Sequence, residues 1–196
     1  MHEDDVSIKI VSAIERIARA YRILIARESY KHGLTPLQAS ILLYIYNSPP
    51  NHRTISSLVR ELGVKQPTIS DSVRALISKG LVTYEPHRSD RRVKILKLTP
   101  KGVEIAESLK SWQTVAAEAV DLSRGEREAL LELLLKYMAS LYRYGVIEVA
   151  RTCFTCTYLE AKNRGEGVSY YCSLLKRELG RSGLRVDCPE HSPKRI

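Results

Sequence analysis

The chain has 196 residues, of which 44% are hydrophobic and 27% charged, enough for one large or two small domains with a substantial core. Lysine and arginine (31) outnumber aspartate and glutamate (22), a formal net charge of +9 that points to anionic partners. No apolar run approaches bilayer length, and the acidic start from Met1 to Asp5 lacks the basic and apolar regions of a secretory leader, which argues against a membrane protein and makes the cytoplasm the expected location.

Residues 6–30 contain neither glycine nor proline and repeat apolar side chains at helical spacing. Ile10, Ile14, Ile17, Tyr21 and Leu24 form one stripe, and Val11, Ala18 and Ile25 form its neighbour. A band that wide predicts a helix with more than one partner, part of it facing a second subunit. Thr35-Pro36-Leu37-Gln38 reads as a capping box with proline at the first helical position, opening a helix to about residue 47 that Pro49-Pro50 ends.

A second pair of helices follows. Ile55, Leu58, Val59 and Leu62 share one face, Gly63 breaks the pattern, and Ile69, Val73, Leu76 and Ile77 mark a helix over about residues 66–79. Its outward side carries Pro67, Ser70, Asp71, Arg74 and Ser78, with Gln66 and Thr68 at the N-terminal end. Short polar groups and one arginine suit base edges in a major groove; on an isolated helix they would read as a solvated face. Two β-like runs come next, at residues 81–84 and 93–98, separated by the polar tip Glu85-Pro86-His87-Arg88-Ser89-Asp90-Arg91-Arg92. Residues 51–101 hold eleven Lys and Arg against four Asp and Glu, so this stretch alone carries +7, as phosphate neutralisation requires.

The run Ser89-Asp90-Arg91-Arg92-Val93 through Leu98-Thr99-Pro100-Lys101-Gly102, behind a helix-turn-helix and a Lys79-Gly80-Leu81-Val82 junction, resembles the wing of the MarR family of winged-helix transcription regulators. The resemblance spans roughly residues 5–150. It implies a homodimer on a pseudo-palindromic operator in double-stranded DNA, with residues 66–79 in the major groove and a wing over 84–93 in the minor groove. The candidate DNA-binding residues are Gln66, Pro67, Thr68, Ser70, Asp71, Arg74, Arg88, Asp90, Arg91 and Arg92. By the same resemblance Asp90 braces the wing with an ion pair and Arg92 enters the minor groove, where a narrow A·T-rich stretch concentrates negative potential. It further implies a small-molecule effector between dimer helices and winged domain. Tyr21, Tyr44, Trp112 and Tyr137 are available for such a crevice, although tyrosines at helical spacing more often belong to a core.

After the wing, Thr99 caps a helix opened by Pro100 and running through Ile105, Leu109, Trp112, Val115 and Ala119. Ser123 to Glu126 is a second capping box, before a helix with Leu130, Leu134, Tyr137, Leu141 and Tyr144 on one side and Leu131, Leu133, Leu135 and Met138 on others. The terminal helices are therefore expected to form a dimer interface, the alternative being a helix buried inside one chain. All four cysteines lie beyond: Cys153, Cys156, Cys172 and Cys188, with Cys-x-x-Cys first and fifteen residues in each later interval. One shared metal centre held by all four thiolates is expected. Structural zinc is the first choice, an iron–sulfur cluster the alternative favoured by the Cys188-Pro189 ending, and two disulfides the remaining option. His191 is expected beside the centre rather than in it. Loops around a short helix at about residues 170–179 complete the tail.

The expected architecture is mainly α with a small β-hairpin wing (α+β). It comprises an N-terminal dimerisation helix (1–34), a winged helix-turn-helix DNA-binding domain (35–102), C-terminal dimerisation helices (103–150) and a cysteine-rich metal-binding tail (151–196). Without a phosphate loop, a GxSxG or a paired-histidine motif, an enzyme is not expected. The expected function is a sequence-specific regulator, a repressor by resemblance, responsive to metal or redox state through the tail. The alternative is a winged-helix protein–protein interaction factor of the transcription machinery with a structural zinc tail.

Overall fold

In the computed structural model, residues 5–86, 94–164 and 167–194 are described, with the backbone alone over 162–164 and 167–168. The fold is mostly helical with a small antiparallel hairpin. Its helices are α1 (Val6–Lys31), α2 (Pro36–Asn47), α3 (Ile55–Leu62), α4 (Gln66–Ser78), α5 (Pro100–Leu109), α6 (Ser111–Glu118) and α7 (Arg124–Arg143). The wing strands β1 (Val82–Pro86) and β2 (Lys94–Leu98) pair from Val82↔Leu98 to Pro86↔Lys94. Among the described residues no helix is long and apolar enough to cross a membrane.

The chain divides into two compact units, Met1–Val59 with Val64–Ala119, and Arg60–Gly63 with Val120–Ile196. The first is built around Ile41, Leu42 and Ile45 of α2, Leu58 of α3, Ile69, Val73 and Leu76 of α4, and Leu96 of β2, all fully buried. Local chemistry sets the helix starts. Thr35 Oγ1 accepts from the Gln38 N–H while Gln38 Oε1 accepts from the Thr35 N–H, both at 3.2 Å, which is the reciprocal box. At α5, Thr99 Oγ1 accepts from the Gly102 N–H at 3.1 Å and donates to the Gly80 carbonyl at 2.7 Å. The Thr99 N–H reaches the Leu81 carbonyl at 3.1 Å, so one residue joins the end of α4, the wing and α5.

Gly102 is required there. A Cβ at that position would lie 2.0 Å from the Leu81 carbonyl oxygen, inside any possible contact distance. The Leu96 N–H donates to the Arg53 carbonyl at 2.7 Å, anchoring β2 to the segment that leads into α3.

Two expectations are corrected. The helix after Thr99 is two helices, broken at Lys110, whose ammonium sits 4.4 Å from the centre of the Tyr46 ring. Tyr46 in turn donates to Glu107 at 3.0 Å. The tail has no helix at 170–179. It forms a three-stranded antiparallel sheet, β3 (Leu159–Arg164), β4 (Gly167–Cys172) and β5 (Arg177–Leu179), in that order. Lys176, at φ 51°, makes the turn between β4 and β5.

In the second unit the tail packs on α7. Leu135 is buried with Cys153, Tyr170, Leu179 and Leu184, and Leu131 and Met138 pack around them. This apolar side of α7 is thus covered by its own chain. Leu133 (61% exposed) and Leu134 (40%) remain on the surface.

Candidate functional site

Helix α4 separates its two sides as the spacing predicts. Ile69, Val73 and Leu76 are buried, while Gln66, Pro67, Thr68, Asp71 and Arg74 are exposed and Ser70 is half-buried. Asp71 and Arg74 form an ion pair one turn apart, with their side chains 67% and 74% exposed. Such a pair is worth little in water, so Arg74 is available to an anionic partner at small cost. Among the wing residues that sequence singles out, Arg88, Asp90, Arg91 and Arg92 lie outside the described residues. At the wing base Lys94 stands 5.3 Å from the centre of the exposed Tyr84 ring, and Lys97 pairs with Glu85 at 3.3 Å.

Of the four aromatic residues considered for an effector crevice, Tyr21 and Trp112 meet in the first unit, with ring centroids 5.8 Å apart and tilted by 53°. The Trp112 indole N–H is buried and has no hydrogen-bond partner among the described residues. Tyr44 is instead a structural group, donating to the His52 carbonyl at 3.0 Å. Tyr137 belongs to the second unit.

The four cysteines converge, although they come from separate parts of the tail. Cys153 and Cys156 bracket a single 3-10 turn, Cys172 ends β4, and the Cys188 N–H donates to the Arg151 carbonyl at 3.0 Å. All four line one hollow with Leu159, Leu174, Leu175 and Arg185, and all four are free thiols, so the disulfide option is not realised here. The Arg185 N–H donates to Cys153 Sγ at 3.1 Å, and its guanidinium donates to Cys188 Sγ at 3.6 Å. Burial pushes the Cys153 thiol up, the Arg185 N–H works against that, and the other three cysteines add to the rise. Among the described residues, however, no three His, Cys, Asp or Glu side chains are placed to hold one metal ion. His191 Nε2 lies 3.0 Å from Thr155 Oγ1, and burial lowers its pKa.

A second set of charged groups, which sequence reasoning misses, fixes the tail. Glu132 of α7 is 6% exposed and accepts from the Tyr170 hydroxyl at 2.7 Å and the Arg181 guanidinium at 2.6 Å, with Lys136 as a third partner. Burial alone would raise its pKa, but the three donors outweigh burial and hold it below the usual carboxylate range. The available signal is a lone acid inside Leu130-Leu131-Glu132-Leu133-Leu134-Leu135, because a carboxylate among leucines must be paired if it is buried. Arg151 pairs with Asp187 at 2.6 Å and Glu61 at 3.1 Å within the same unit.

Residues 32–93 match the family model of the MarR family. Among solved structures, a Staphylococcus aureus MarR in complex with salicylate and kanamycin is 25% identical, with a TM-score of 0.61 over 70% of this chain and 93% of that one. The transcriptional regulator BldR from Sulfolobus solfataricus is 27% identical, with a TM-score of 0.57 over 71% of this chain and 99% of that one. A Listeria monocytogenes MarR-family regulator complexed with a 26mer DNA, 21% identical and with a TM-score of 0.58 over 67% of this chain and 87% of that one, shares the fold.

Proposed function

We propose that the chain is a sequence-specific DNA-binding transcription regulator of the MarR type, acting as a homodimer and repressing by occupying a pseudo-palindromic operator. The observation that carries this reading is the division of α4, with an apolar side locked in the core and Gln66, Pro67, Thr68, Asp71 and Arg74 facing outward. A helix of this kind lies in the major groove, and the hairpin that follows it reaches the adjacent minor groove. The eleven basic residues of 51–101 supply phosphate contacts.

Dimerisation is supported by α1, where Val6, Ile8, Ile10, Val11, Ile17 and Ile23 are each at least half exposed. Val6, Ile10 and Ile17 share one side of the helix, and exposed aliphatic side chains aligned in this way are stable only when covered, as by a second copy. Two α4 helices then stand about 34–36 Å apart, one turn of DNA. A small-molecule effector beside Tyr21 and Trp112 would give the unpartnered indole N–H an acceptor. The tail would make the regulator responsive to metal or redox state, because Cys153 lies in the cluster that includes Leu135 of α7, with Cys172 packed against that cluster. The protein would then work in the cytoplasm, where its DNA is.

Gel retardation with the DNA upstream of its own gene tests the reading. A retarded dimeric complex is expected, abolished by competitor operator and weakened by Arg92→Ala, which should lower the slope of log affinity against log salt by about one. Absence of any complex at low salt would refute it and leave the protein–protein factor.

A further inference from the structure

We propose that Cys153, Cys156, Cys172 and Cys188 together ligate an iron–sulfur cluster rather than a single zinc ion. Four free thiols line one hollow, drawn from a 3-10 turn, a strand end and the segment after residue 183. Four thiolates on one hollow meet the ligand count of a tetrathiolate centre. Such a set can hold a polynuclear centre, in which every cysteine sulfur bonds to an iron.

The surroundings agree. Leu159, Leu174, Leu175 and Leu179 supply an apolar wall, and Arg185 brings two N–H donors to two of the sulfurs, at 3.1 Å on Cys153 and 3.6 Å on Cys188. N–H donors to thiolate sulfur and a water-poor wall are the features that stabilise and tune such clusters. The guanidinium also offsets part of the negative charge of a tetrathiolate centre. Cluster delivery is a ligand exchange without electron transfer. A carrier's thiolates leave the irons and take up the protons that the four cysteines release as their sulfurs bond.

This inference stands apart from the DNA reading, and its test does not involve DNA. The full chain is purified without oxygen and analysed for iron, acid-labile sulfide and zinc, with a visible spectrum. Iron and labile sulfide in equal amounts, with a broad visible absorption, are expected. Cys172→Ser, a half-buried position at a strand end, should lose most of that absorption while keeping the wild-type far-ultraviolet circular dichroism. Because loss of one thiol can also unfold the tail, the wild-type metal content decides. Stoichiometric zinc without labile sulfide overturns the proposal. So does metal-free protein that stays colourless when supplied anaerobically with ferric iron, a thiol reductant and sulfide.

Discussion

Arg74 is free to act because its only described ion pair is an exposed one with Asp71, one turn away. Replacing it with alanine should leave thermal stability within about 0.5 kcal/mol of wild type. Operator affinity should fall by about 1–3 kcal/mol if the guanidinium reads a base. Titrations with matched and mismatched operators measure the loss, and thermal melts check the stability. Unchanged affinity would remove Arg74 from the interface. Glu132 behaves in the opposite way, since its work is structural. In Glu132→Ala the buried Tyr170 hydroxyl loses its acceptor, at a cost of about 1–3 kcal/mol. Arg181 and Lys136 are about half exposed and should add little. The pH dependence has a definite sign. Glu132 has a folded pKa below its unfolded value, so its contribution is complete above the unfolded carboxylate range and is lost as pH falls through the folded value. Acid unfolding should therefore be less steep in Glu132→Gln, and an identical profile would show that the carboxylate does not contribute.

The helix starts are legible in the sequence because each depends on a few neighbouring residues. Thr35 with Gln38, Ser123 with Glu126 and Thr99 with Pro100 cap the helices that their order predicts. The break at Lys110 is not legible, because it carries neither glycine nor proline, and the Tyr46 ring that its ammonium meets is far away in the chain. Nor is the β4–β5 turn, where a lysine takes a left-handed conformation that sequence reserves for glycine or asparagine. At the candidate site, the inner and outer sides of α4 follow from periodicity alone, whereas the gathering of four cysteines in one hollow depends on pairings such as Leu159↔Cys172. Element junctions make their own predictions. Gly102→Ala forces a methyl group against the Leu81 carbonyl and should cost at least about 1–3 kcal/mol, seen as an earlier midpoint in urea. Along α1, Ile10→Lys combined with Ile17→Lys should convert a dimer to a monomer in analytical ultracentrifugation while preserving helix content. If the pair of lysines leaves the sedimentation unchanged, that side of α1 is not an interface.

On the scale of the whole molecule, charge and apolar surface are unevenly allotted. Residues 51–101 carry +7, and residues 102–150 carry −3, with five Lys and Arg against eight Asp and Glu. Under the proposed function, the excess of basic residues in 51–101 attracts the phosphates of DNA to that segment. Exposed aliphatic side chains on α1 favour pairing of two such segments. The tail, held to α7 by Glu132 and Leu135, adds a thiol centre to that helix. Cleavage of operator DNA by hydroxyl radicals, with and without the protein, tests the central claim most directly. Two protected patches on one side of the duplex, their centres about one helical turn apart, are predicted. Uniform cleavage, or protection confined to a single patch, would contradict a paired DNA-reading dimer.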